Sequence, residues 1–203
     1  GQSIEAWRHE LEQALELQPS HVSLYQLEIE RGTRFFEAHQ RGELLMLDDE
    51  VAVQMYEDTL TLCGASGLKA YEISNLALKG HECRHNLTYW QSGDWLGIGP
   101  GAHGRIGSGV QRMAIQSWRS PEKWLNAVEK FGSGVESVTL LDPSARSSET
   151  LMMGLRLDQG IPLKRFEYVV GYSLSEMVSS DSLSALIDGG FLNWSEERIS
   201  ATP

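Results

Sequence analysis

Between residues 76 and 117 the chain loses the periodicity that orders the sequence before and after, and this break constrains the fold more than any other feature. Ahead of it, helical and strand spacing alternate. Ile4, Trp7, Leu11, Ala14, Leu15 and Leu17 follow Ser3, a candidate N-cap, with charged residues between them, as in an amphipathic helix. Pro19 and Ser20 end that pattern. HVSLYQLEIE then puts Val22, Leu24, Gln26 and Glu28 on one side of a strand and His21, Ser23, Tyr25, Leu27 and Ile29 on the other. Arg31 and Gly32 turn the chain, an acidic start and Gly67 bound a helix over about 49–66, and LKAYEIS reads as the next strand. Such alternation is expected of parallel sheets covered by helices, which makes the fold class α/β.

The break itself is rich in glycine, histidine and aromatic residues, with only short strand candidates. Beyond it, 121–130 is a predicted helix, GSGVES a flexible connection, and Ser147–Leu157 a helix with Leu151, Met152, Leu155 and Leu157 inward. Three helical patterns, at about 144–157, 162–170 and 180–188, precede GGFLNWSEERIS, whose last residues start a β-wing. The expected divisions are therefore residues 1–75, a loop-rich connection over 76–139, and a small winged-helix-like domain over 140–203. The chain opens at Gly1 with a helix close behind and stops inside a strand or turn, the expectation for a segment of a longer protein.

Winged-helix folds often bind DNA, but 17 basic residues against 28 acidic ones leave a net charge of −11, which repels phosphate backbones. No nucleic-acid partner is expected, and a docking module is the alternative for this end of the chain. No run approaches the roughly 18 apolar residues that cross a bilayer. The two cysteines, Cys63 and Cys83, allow one bridge at most and suit a reducing cytoplasm.

The chemistry-bearing residues crowd into CRHNLTYWQSGDWLGIGPGAHG, residues 83–104. His81, Cys83 and His85 alternate, so an extended strand would turn all three toward one metal ion, but no second cluster with ligand spacing accompanies them and a dedicated zinc site is not the expectation. Asn86, Tyr89 and Trp90 follow His85. On the residues alone they read as an aromatic core plug with a hydrogen-bonded histidine, the alternative being walls and an axial ligand for haem. GIGPGAHG fits G-x-G-x-x-G at Gly99, Gly101 and Gly104, but RIGSGVQ continues without a helical pattern, which argues against a dinucleotide fingerprint. What remains is backbone that a ligand can approach closely, with His103 projecting from it, or a tight turn leaving a strand. No G-x-S-x-G elbow or papain-like cysteine context is present.

HVSLYQLEIERGTRFF, YEISNLA, RHNLTYWQSGDWLGIGPGAHG and SSETLMMGLRLDQGI together resemble the HemW haem chaperones, radical S-adenosylmethionine proteins related to oxygen-independent coproporphyrinogen III oxidase. The resemblance covers nearly the whole chain, and its most specific element is H-N-x-x-Y-W at His85, Asn86, Tyr89 and Trp90. It implies a haem contact, with His85 as iron ligand, Tyr89 and Trp90 as packing walls, and Asn86 as an orienting hydrogen-bond partner. Cys83 departs from the small polar residue usual there and adds a second candidate ligand. The resemblance also implies the last part of a partial (β/α)6 barrel in residues 1–75, with Gly1-Gln2-Ser3 as the tail of a P-G-Q-S/T element. Gln2, Gly99, Gly101 and His103 are then placed in the vicinity of S-adenosylmethionine.

The family's C-x-x-x-C-x-x-C motif, which holds a 4Fe–4S cluster, is not in this sequence, so cluster and S-adenosylmethionine chemistry belong to a full-length parent and the segment alone is expected to be inactive. The implied function is a cytoplasmic haem-binding segment that passes haem to haem-requiring proteins, with a homodimer as the candidate assembly. The alternative parent is a coproporphyrinogen III oxidase of porphyrin biosynthesis.

Overall fold

The computed structural model describes residues 2–202; Gly1, the first residue of the Gly-Gln-Ser element, lies outside them. The chain divides after Glu82 into two compact units.

The first unit holds α1 (Ile4–Glu16), β1 (His21–Ser23), α2 (Arg34–Gln40), α3 (Asp49–Ala65), β2 (Lys69–Ala70) and β3 (Asn75–Ala77). Ser3 caps α1, its Oγ accepting from the Ala6 amide at 3.2 Å. Leu11 of α1 packs with Cys63, Leu68 and Leu76, and Trp7, Leu15 and Val22 close around them. The Trp7 indole N–H donates to Thr59 Oγ1 at 2.9 Å, so its one polar atom is satisfied in that core. Burial pushes the Cys63 thiol above its ordinary range, and both cysteines are free.

The sheet corrects the expectation of neighbouring parallel strands. Its order is β1-β3-β2 and both pairings are antiparallel. β1 and β2, the two strands linked through helices, do run parallel to each other, but β3 is inserted between them. The reason lies in LKAYEIS, which is not one strand: Tyr71–Ser74 is a tight bend, and four residues suffice only for a return, whereas a parallel crossover needs a dozen or more. HVSLYQLEIE likewise forms a strand only to Ser23. One further bond, from Leu24 N to Ser74 O in the bend ahead of β3 at 2.8 Å, ends the pairing, and Tyr25 beyond it is 75% exposed.

The second unit runs α4 (Arg84–Trp90), β4 (His103–Ile106), β5 (Met113–Ser117), α5 (Pro121–Phe131), β6 (Val135–Leu140), α6 (Pro143–Gly154), β7 (Ile161–Pro162), α7 (Leu163–Val170), α8 (Leu174–Met177), α9 (Ser180–Asp188), β8 (Leu192–Trp194) and β9 (Arg198–Ala201). Two antiparallel sheets result, β4-β5-β6 and β7-β9-β8. GSGVES is thus not a free connection, since its VES begins the edge strand β6. In the first sheet, Ile106, Met113, Ile115, Val138 and Leu140 share one face by register, and His103, Arg105, Gln116, Ser137 and Thr139 the other. The Arg105 face meets α6 through Glu149.

Ile161, Phe166, Val170, Leu174 and Ile199 form the core of the last sixty residues, with Leu151 and Leu155 of the α6 segment against it. Met152, expected inward, is 64% exposed, because it lies a further 100° round the helix from Leu151. Asp142 caps α6, its Oδ1 accepting from Ala145 N at 2.8 Å with Pro143 in the first turn. Asp142→Ala is expected to cost about 1 kcal/mol; urea unfolding reads it, and a change within 0.3 kcal/mol would show that the cap contributes nothing. No helix among the described residues is long and apolar enough to cross a membrane.

Candidate functional site

The segment whose alternation suited a metal strand is a bend followed by a helix. Cys83 has extended backbone, φ −65° and ψ 111°, and serves as N-cap of α4, with Leu87 N bonded to its carbonyl at 2.9 Å. His85 therefore sits in the first helical turn, and the every-second-residue spacing of His81, Cys83 and His85 no longer turns them to one side. Among the described residues no group of three or more His, Cys, Asp or Glu side chains is placed to hold a metal ion.

Helical spacing instead sorts the H-N-x-x-Y-W residues into two pairs. His85 and Tyr89 are four apart and meet edge to face, centroids 4.7 Å apart and planes at 88°. Tyr89 meets Trp95 in the same way, at 4.8 Å and 74°. His85 is exposed at the outer end of this row of rings, while Tyr89 and Trp95 are half-buried. Asn86 and Trp90 form the second pair, rotated about 100° round the helix axis. Trp90 turns toward Arg156, whose Cζ stands 4.7 Å from its ring, and among the described residues its buried indole N–H has no acceptor. Thus Tyr89 neighbours the imidazole and Trp90 does not, which separates the two rings that the sequence reading treats as a common wall.

Guanidinium groups grip the C-terminal end of α4, where carbonyls carry the negative end of the helix dipole. Arg165 of α7 donates to Gln91 O and Ser92 O, both at 2.9 Å. Arg112 donates to Gly93 O at 3.3 Å and Gly107 O at 3.0 Å. Arg112 is 2% exposed, with the Asp94 carboxylate 3.6 Å away. Burial pulls its guanidinium below the usual arginine range, a tendency that Glu149 and Asp94 oppose. Arg105 pairs with Glu149 at 2.6 Å, and the Cζ atoms of Arg105 and Arg112 lie 5.7 and 6.0 Å from the Trp95 ring. Arg112 therefore links the carbonyls after α4 to the indole of Trp95.

The glycine-rich loop leads into a strand, not a helix, and its glycines serve two different needs. Trp95 and Arg105 exchange backbone bonds of 2.8 and 2.9 Å, and a Cβ on Gly97 would lie 2.3 Å from His103 O. Gly97 is thus a close backbone contact inside the protein. Gly99, at φ +101°, has nothing within 4 Å of where its Cβ would be, and Gly101, at φ +71°, meets only Arg119 at 3.7 Å. His103 is exposed on β4, opposite Gln116. In the first unit Gln2 is exposed and its amide donates to Glu10 Oε2 at 2.5 Å.

Trp95, Arg105, Arg112, Glu149 and Arg165 are the residues that sequence reasoning passed over. Trp95 lies within the motif-bearing stretch, and Arg112 opens the apolar run MAI, the one local sign of a charge bound for the interior.

Residues 141–203 match the HemN C-terminal domain. The whole chain is 32% identical to the heme chaperone HemW of Bacillus subtilis, covering 52% of that protein. The chain is similar to HemW over its whole length. It is also 40% identical, over 79% of its length, to the mitochondrial radical S-adenosyl methionine domain-containing protein 1 of Mus musculus, of which it covers 37%. The solved structure of coproporphyrinogen III oxidase (HemN) from Escherichia coli, a radical SAM enzyme, superposes over 99% of the chain and 48% of its own, with a TM-score of 0.72 at 16% identity. The chain thus shares the α/β fold of that structure. This HemW-like chain spans about half the length of the bacterial HemW proteins it matches.

Proposed function

We propose that this chain is the haem-binding part of a HemW-like haem chaperone, with His85 as the axial ligand. The observation that supports the reading is the placement of His85: an exposed imidazole in the first turn of α4, in edge-to-face contact with Tyr89. Haem supplies an iron with open axial positions and a broad apolar ring. The donor set fits such a group, because a neutral imidazole is a common iron ligand and the exposed ring is open to a large planar partner. Tyr89 holds the imidazole from one side and offers a ring edge for packing. Asn86 and Trp90 act one step round the helix, as an orienting amide and a support for α4. Cys83, half-buried at the cap, is the second candidate ligand.

The S-adenosylmethionine and 4Fe–4S chemistry of the proposed parent falls to sequence beyond this segment. In the second unit Gly99 and Gly101 offer open backbone and His103 an exposed ring, which supports their assignment to the S-adenosylmethionine vicinity; the hydrogen bond of Gln2 to Glu10 weighs against the same role for Gln2. Residues 1–75 are read as the late part of a partial barrel and 140–203 as a winged-helix-like domain. Proteins that require haem are the proposed recipients. Titration of the chain with hemin, followed by its Soret band, tests the reading; saturable binding with the displacement typical of imidazole ligation is expected, and its absence removes it.

Self-association belongs to the same proposal. Among the described residues β6 is an edge strand paired with β5, all six of its residues are exposed, and an edge of this kind presents backbone donors and acceptors for a further strand. Val138→Lys is expected to shift a concentration-dependent dimer toward monomer in sedimentation velocity. Wild-type chain that stays monomeric as concentration rises would end this part of the reading.

A further inference from the structure

We infer that Trp95, acting through Tyr89, is a positioning residue that fixes the orientation of the His85 imidazole for a porphyrin iron. The inference rests on the ligand reading of His85 and adds to it a residue outside the H-N-x-x-Y-W element. An exposed histidine in the first turn of a seven-residue helix is ordinarily free to change rotamer, and a ligand that must hold it still loses that freedom on binding. Here one face of the imidazole row is built up from behind. Tyr89 and His85 meet edge to face at 4.7 Å, and Trp95 and Tyr89 do so at 4.8 Å.

Trp95 itself is anchored three ways. Its amide and carbonyl both pair with Arg105 of β4, which ties its backbone to the sheet. The Arg105 guanidinium, fixed by Glu149, and the buried Arg112 guanidinium lie 5.7 and 6.0 Å from its ring. Arg112 also holds Gly93 O, two residues ahead, so backbone and ring are restrained together. Rigidity thus passes from sheet to indole to phenol to imidazole, and only the last ring is exposed. The distal ring has no contact with the ligand and works through Tyr89.

Two measurements test this, one without haem. In the apo chain, NMR should find the His85 ring protons displaced by the Tyr89 ring current, with the displacement reduced in Trp95→Leu and kept in Trp95→Phe, which restores an aromatic edge. In hemin titrations Trp95→Leu is expected to lose roughly three- to tenfold in affinity, the cost of freezing one or two side chains. Tyr89→Leu should lose a similar amount, and the double variant no more than either alone, since both break one chain of contacts. Circular dichroism confirms that each variant folds; if Trp95→Leu does not, Trp95→Phe and Tyr89→Leu carry the test. Wild-type His85 shifts and affinity in Trp95→Leu, or losses that add in the double variant, overturn the inference while leaving His85 as ligand. Unchanged hemin binding in His85→Ala overturns the ligand reading and, with it, any role for Trp95 toward iron.

Discussion

His85→Ala is expected to weaken hemin binding by at least about a hundredfold and to abolish the Soret displacement of imidazole ligation, since loss of even an outer-sphere partner of a metal ligand commonly costs ten- to a hundredfold. The variant isolates function from stability. His85 is exposed and its ring contact is with Tyr89 alone among the aromatic pairs of the second unit, so the fold should lose within about 0.5 kcal/mol, as surface substitutions do. His103→Ala is the matched control: an exposed histidine of the same unit, on β4, whose removal should leave hemin binding unchanged. Cys83→Ser separates the two candidate ligands, because a thiolate ligand would disappear with it while the helix cap position keeps a short polar side chain. Hemin affinity in His85→Ala equal to wild type would transfer the ligand role elsewhere and leave α4 as packing.

Gly97→Ala is expected to destabilise the second unit by about 3 kcal/mol or more, a fall of roughly 6–12 °C in Tm for a chain of this size. The added Cβ would stand 2.3 Å from His103 O and 2.7 Å from both His103 C and N. All three are backbone atoms of β4, so no rotamer change relieves the clash; the Trp95 segment and β4 would have to separate. The bonds between Trp95 and Arg105 would then be lost, and with them the support of the ring row that ends at His85. Gly99→Ala provides the contrast. Its Cβ meets nothing within 4 Å, and only the left-handed backbone at φ +101° is penalised, about 1–2 kcal/mol. If Gly97→Ala unfolds with wild-type Tm by thermal denaturation, the close approach is wrong. If Gly99→Ala keeps most of its stability yet impairs S-adenosylmethionine binding in a full-length relative, its open backbone is there for a ligand.

Local signals made much of the helical part legible. The predicted helix over 49–66 is α3, Asp49–Ala65, and the one over 121–130 is α5, Pro121–Phe131. In both, acidic or proline starts and glycine ends act within one turn of the chain, which a sequence window contains. Strands failed differently. HVSLYQLEIE has the alternation of a ten-residue strand and forms three residues of one, because β3 offers only three residues to pair with. VES looked like a linker and forms an edge strand, since Met113–Ser117 lies ready beside it. The site shows the same split. H-N-x-x-Y-W was conspicuous in the sequence, but whether Tyr89 or Trp90 neighbours His85 depended on the helix that the segment forms.

Sequence alone determined the long helices α1, α3 and α5, the resemblance carried by four motifs, and the histidine on which the haem reading rests. These follow from side-chain spacing and capping chemistry, interactions a few residues long. Tertiary structure decided which strands pair, why Gly97 is glycine, and that Arg105, Arg112 and Trp95 stand behind Tyr89. Those depend on contacts between residues far apart in the chain, whose free energy appears only when the sheet has closed and water has left the ring of Trp95 and the guanidinium of Arg112.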